Sequence, residues 1–228
     1  MADQNEAMNL VERLEGTLIA DLNSLVEWAG DFDRRRGKGP GLGGLNFTLS
    51  LLALVGCETL GFFTTGASQH RKRTPRAQPD LGTYIMAFIR DFFPRASLFR
   101  KLEKVLADFL RHDLVHGFGC ANPSVPFELG LFISKETSKQ LGCGYSDGKK
   151  LLKISSIALG RDTIEAFYTL KQRVRSGKHQ PLVASLLQAS HLALPVSKGA
   201  VRQFEVVHCD LERRAKRGCP MKTQGRAT

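Results

Sequence analysis

The sequence predicts a mainly α-helical protein: a four-helix antiparallel bundle followed by a small β-hairpin and a helical extension. Three observations predict it. Apolar residues recur at three- and four-residue steps through most of the first 116 positions, the period of one helical face. The segments between these stretches carry helix-stopping residues, above all five glycines and a proline in the eight positions from Gly37 to Gly44. Beyond His116 the pattern changes to short apolar runs around Asp147-Gly148, a pair suited to a hairpin turn. With 228 residues, 42% hydrophobic and 24% charged, the chain can bury a core. That excludes a collagen, a low-complexity disordered chain and a disulfide-stapled miniprotein.

The first helix is expected over residues 3–30, where Leu10, Leu14, Leu18, Leu22, Leu25, Val26 and Trp28 form a stripe. After the glycine-rich loop, Asn46 is a suitable cap for a strongly apolar second helix over residues 45–63. The basic loop HRKRTPRAQPD leads to a third helix over residues 81–93, which Pro94 stops. A fourth, over residues 98–116, ends at Gly117. ELGLFISK and KKLLKISSIAL read as two strands flanking CGYSDGKK. Helical period returns from Arg161 to Val174, and a short helix follows over residues 181–194. The stretch from Lys198 reads as a loose, solvated basic tail. The expected divisions are therefore a bundle over 1–117, a hairpin-and-helix extension over 118–178, and a short helix with a basic tail over 179–228.

Charge is distributed unevenly. Lys and Arg total 33 against 22 Asp and Glu, a formal +11, and the excess lies almost wholly after Cys120, where 18 basic residues face 8 acidic ones. Such a balance suits a polyanionic partner. Five cysteines, odd in number and without C-x-x-C spacing, suit reduced thiols in a cytoplasmic protein. The acidic, amphipathic N-terminal stretch lacks the pattern of a secretory signal. Residues 45–63 are long enough to cross a bilayer, but Glu58 near the middle of a lone span is costly. A helix buried within the bundle is the expectation.

Most chemistry-bearing motifs are absent. Gly39, Gly41 and Gly44 match G-x-G-x-x-G, but DFDRRR precedes them where a dinucleotide site needs a strand, so they read as a linker. There is no Walker A, G-x-S-x-G or H-E-x-x-H pattern. His208, Cys209 and Cys219 lack the spacing of a zinc ribbon or finger. No metal or cofactor is expected.

The informative stretch is RHDLVH, Arg111 to His116, expected at the end of the fourth helix. A guanidinium binds phosphate oxygens bidentately and steadies developing charge, and an imidazole moves protons near neutral pH. Arg111, four intervening residues and His116, with polar His112 directly after the arginine, resemble the signature of the HEPN superfamily of all-helical domains. Cys57-Glu58 in the preceding apolar helix adds a likeness to uncharacterised bacterial proteins carrying such a motif. The resemblance implies a metal-independent endoribonuclease acting as a homodimer, with two copies of the motif lining one cleft; inactive members only bind nucleotides or partners. In that reading Arg111 holds the scissile phosphate, His116 shuttles protons during attack by the RNA 2′-hydroxyl, and His112 shapes the cleft. The hairpin and tail are foreign to a minimal HEPN domain.

Geometry offers a blander reading. On an ideal helix Arg111 and His116 lie about 140° apart, which suits a packed, capping histidine and a solvated arginine unless a second subunit brings the two together. Glu58 calls for a partner, Arg111 or Arg90. In the basic second half Lys149, Lys150, Lys153, Arg161, Lys171, Arg173 and Arg175 are candidate phosphate contacts, with few aromatics for base stacking. The alternative function is a non-catalytic nucleic-acid-binding or protein-interaction module with a basic C-terminal arm.

Overall fold

The computed structural model describes residues 2–36, 43–70, 81–110, 127–133, 139–146 and 148–191. The chain divides into two units, Met1–His191 and Leu192–Thr228, and all described residues belong to the first. They are mainly helical, with one small sheet.

Helices α1 (Ala2–Leu14) and α2 (Ala20–Arg36) run on from one another through a π-helical turn over Glu15–Ile19. Ala7 and Val11 before the turn are buried in the core; the wider turn rotates the face that follows it, where Ile19, Leu22, Val26 and Ala29 are the buried residues. Leu10, Leu14, Leu18 and Leu25 pack only partly against it, and Trp28 is 58% exposed. The expected stripe is thus displaced, and Trp28 is not a core residue. An ion pair between Lys171 and Glu15 ties the π-turn to a later helix.

Helix α3 (Gly43–His70) is the centre of the fold. It packs against α2, against α4 (Leu81–Phe92), and against α6 (Ser156–Arg175) and α7 (Gln180–His191). Its stretch Leu45–Thr65 is long and apolar enough to span a membrane, yet half of its most apolar window is buried by these neighbours. Because α3 begins at Gly43, Asn46 lies inside the first turn rather than at the cap, and its Oδ1 is buried without a hydrogen-bond partner. At Gly61 the backbones of α3 and α4 approach closely: a Cβ there would lie 2.1 Å from the Tyr84 carbonyl oxygen. The helices packed on α3 thus include α6 and α7, which come from beyond residue 117, outside the expected four.

After Phe92 the chain turns at Pro94, which cannot continue a helix. Ser97 N–H donates to the Pro94 carbonyl at 2.9 Å, and the Ser97 side chain caps a 3-10 turn, Leu98–Lys101, by accepting from Phe99 N–H. The expected fourth helix is broken into that turn, a short α5 (Glu103–Val105) and a π-turn over Leu106–Leu110.

The sheet has three strands, β1 (Phe127–Phe132), β2 (Leu141–Ser146) and β3 (Lys149–Ser155), in the order β1-β3-β2. The hairpin exists, but its arms are β2 and β3, joined beside Gly148 at φ 80°. ELGLFISK, expected as the first arm, is β1 and pairs with β3 in parallel. KKLLKISSIAL is not one strand either. Ser155 ends β3 and caps α6 by accepting from Ala158 N–H, so the helix begins at Ser156, five residues before the expected Arg161. Leu129, Leu131, Leu141 and Ile154 carry the sheet's apolar face into the core.

Candidate nucleic-acid interface

Five segments converge on one concavity of about 670 Å³: the ends of α3 and α4, the turn around Pro94, the 3-10 turn, the second half of α6 and the start of α7. Arg90, Arg95, Arg100, Arg173 and His179 line it, and among the described residues Asp91 is the single carboxylate in the lining.

The aromatic run Phe88, Phe92 and Phe93 sets this wall. Phe88 stacks on Phe92 with centroids 5.1 Å apart and meets Phe93 edge-on, and all three rings are buried. That anchoring places Asp91 and Arg90 outward at the end of α4. Arg173 reaches across from α6. Its guanidinium lies 4.7 Å from the Phe92 centroid while Nη2 donates to the Asp91 carbonyl oxygen at 3.1 Å. Stacking and a hydrogen bond together orient the fork. Arg90 donates from Nε to Asp91 Oδ1 at 3.3 Å and approaches Glu103 Oε1 at 4.0 Å. Arg90 is one of the two partners expected for Glu58, beside Arg111, which lies outside the described residues; Asp91 and Glu103 hold Arg90 instead. Arg95 and Arg100, on either side of the Ser97 cap, have no hydrogen-bond or ion-pair partner among the described residues.

The hydroxyls in the groove are already committed as donors. Thr65 and Thr64 donate to the Gly61 carbonyl, Thr169 to Glu165 and Ser185 to Pro181. Donation to a ligand therefore falls to the arginines and His179. Four guanidiniums beside Asp91, with Glu103 at the edge of Arg90, keep an excess of positive charge and make an anion-receiving surface.

A second feature supports the groove from behind. Asp162 on α6 is buried, and Gln140 just before β2 donates from Nε2 to its Oδ2 at 3.0 Å. Gln140 Oε1 accepts from Leu98 N–H at 2.7 Å, and its carbonyl accepts from Ser155 N–H at 2.9 Å. One residue thus ties the 3-10 turn that carries Arg100 to α6 through its side chain and to the sheet through its backbone carbonyl. Burial pushes the Asp162 carboxyl up to about 6, with the Ser97 hydroxyl opposing the rise and Glu165 adding to it. Deeper in, between α3 and α6, Ser50 donates to Ser156 at 2.9 Å, and Cys57 Sγ lies 3.6 Å from Thr163 Oγ1. Burial raises the Cys57 thiol to about 12, so it is not a nucleophile.

Of the residues expected to touch phosphate, Arg173 lines this groove. Lys171 is engaged with Glu15. Arg161 lines a separate groove between α2 and α6, together with Glu27, Asp31 and Glu165. Lys149, Lys150 and Lys153 all lie on β3, with Lys150 and Lys153 exposed and three positions apart, hence on opposite faces of the sheet. Arg175 is exposed at the end of α6, and its carbonyl accepts from Gln4 Nε2 at 2.9 Å. Arg95, Arg100 and His179 were missed by sequence reasoning. A signal existed in FFPRASLFRK, where two arginines bracket a proline turn and a serine cap.

Arg111, His112 and His116 lie outside the described residues, the last of which before the motif is Leu110. So do His208, Cys209 and Cys219. Among the described residues no group of three or more His, Cys, Asp or Glu is placed to hold a metal ion.

No family model, curated protein or solved structure matches the chain. The functional reading therefore stands on the site alone.

Proposed function

We propose that this protein binds RNA through its phosphates, with the arginine groove as the contact surface. Arg111 and His116, with His112 beside them, are in this proposal the groups that would act on the bound strand, in a homodimeric cytoplasmic protein. The observation that carries the proposal is the convergence of Arg90, Arg95, Arg100 and Arg173 on one concavity whose lining, among the described residues, includes a single acid. Guanidinium forks match phosphate oxygens in geometry and charge. The nearby rings do not offer faces for bases, because Phe92 is covered by Arg173 and Phe93 is buried. Recognition is accordingly of phosphate rather than of sequence.

The test is a salt titration of binding to a single-stranded RNA, run beside cleavage assays in chelator with Arg111→Ala and His116→Ala variants. Expected are affinity that falls steeply as salt rises and cleavage that both substitutions abolish. Salt-insensitive or absent binding overturns the proposal. Binding without cleavage, or equal cleavage by all three proteins, removes the nuclease part and leaves a binding module.

A further inference from the structure

We propose that the arginine groove is built for a compact oligophosphate group, the di- or triphosphate at the 5′ end of an RNA, rather than for the diester phosphates along a strand. This rests on the phosphate-binding reading above and narrows its ligand.

The arrangement of the arginines carries the argument. A strand distributes one charge per nucleotide, and one bidentate fork satisfies each diester phosphate. A surface that follows a strand therefore sets its cations in a row along an open groove. Here Arg90 from α4, Arg95 and Arg100 from the turns after it, and Arg173 from α6 meet around a single concavity. At about 670 Å³ that concavity has the size of a small-ligand site. Several cations around one concavity suit the clustered charges that a terminal di- or triphosphate presents and an internal diester does not.

The donors divide into two kinds. Arg90 and Arg173 are pre-aimed by Asp91, one through its carboxylate and one through its carbonyl. Arg95 and Arg100 have no partner among the described residues. Two oriented forks can receive the group, and two uncommitted ones can close over it. The hydroxyls of Thr64, Thr65, Thr169 and Ser185 donate to their own helices. A neutral ligand seeking hydroxyl donors gains little, whereas a ligand of high negative charge gains most.

The experiment uses the full chain and one labelled RNA sequence bearing a 5′-triphosphate, a 5′-monophosphate or a 5′-hydroxyl, with inorganic triphosphate as competitor. The triphosphate end is expected to bind on the order of tenfold more tightly than the hydroxyl end. Inorganic triphosphate should displace it. The Arg95→Ala/Arg100→Ala double variant should lose the preference while melting like the parent, since neither side chain holds the fold together. Equal affinity for all three ends, weakened equally by the double variant, overturns the end-group inference and leaves backbone binding standing. Binding of inorganic triphosphate with no RNA bound in any form supports the oligophosphate chemistry and overturns RNA as its source. No binding of either probe overturns both proposals.

Discussion

Gln140 donates to Asp162 across 3.0 Å, and Asp162 is a buried carboxyl raised from an ordinary value near 3.8 to about 6. Between those values the folded protein holds a proton that the unfolded chain has released. Stability from this group is thus fully present below the unfolded value and is lost as pH rises through about 6. Asp162→Asn keeps the acceptor for Gln140 and removes the buried charge. Denaturation of variant and parent should coincide near pH 4. The variant should gain about 2 kcal/mol above pH 7, a figure discounted for partial solvation. A gain that is the same at both ends of the range would assign the effect to packing rather than charge.

Gly61→Ala places a methyl group 2.1 Å from the Tyr84 carbonyl oxygen, and backbone must move to admit it. Overpacking of this kind costs about 3 kcal/mol. Gly30→Ala, where a Cβ meets nothing within 4 Å, should be neutral or slightly stabilising because alanine favours helix. Melting temperatures of the two variants, measured side by side, check the contrast.

Thiol chemistry should separate Cys57 from Cys143. The first is buried with its thiol raised to about 12, and the second is exposed on β2. Brief alkylation of the native protein at pH 8, followed by peptide mapping, should label Cys143 and spare Cys57 until the protein is unfolded.

Arg173→Lys retains the positive charge but loses both the ring contact with Phe92 and the planar fork. RNA affinity is expected to fall about threefold with the salt slope unchanged. Arg173→Ala should cost about tenfold and reduce the slope by about one. Equal losses for both substitutions, with both slopes unchanged, would place Arg173 outside the contact surface.

Elements whose boundaries are marked by local chemistry were legible in the sequence. The third helix runs close to its expected span because Pro94 can only end it, and the turn at Gly148 falls where Asp147-Gly148 suggested. Legibility failed where two segments carried the same pattern or where geometry broke the period. LGCGYS holds four small residues, Gly142, Cys143, Gly144 and Ser146, and reads as loop, yet it is the antiparallel hairpin arm of β3; the more apolar ELGLFISK looked the better arm and pairs with β3 in parallel. KISSIAL passes from strand to helix at two serines without a glycine or proline to mark the change. The π-turn at Glu15–Ile19 rotates the buried face and leaves Trp28 outside, which a uniform helical period cannot foresee. The groove was less legible still. Its arginines come from positions 90, 95, 100 and 173, and only the packing of α6 against α4 brings the last beside the first three.

Gln4 caps the carbonyls of Val174 and Arg175 at the end of α6, across 170 positions of chain. A growing polypeptide thus makes its opening helix long before the surface that receives it. Until residues 156–191 leave the ribosome, the apolar side of that helix has no finished seat, and the central helix is open along the flank that α6 and α7 will cover. Docking is consequently a late, post-emergence event, and a chain cut short before α6 would remain a client for chaperones rather than a smaller working protein.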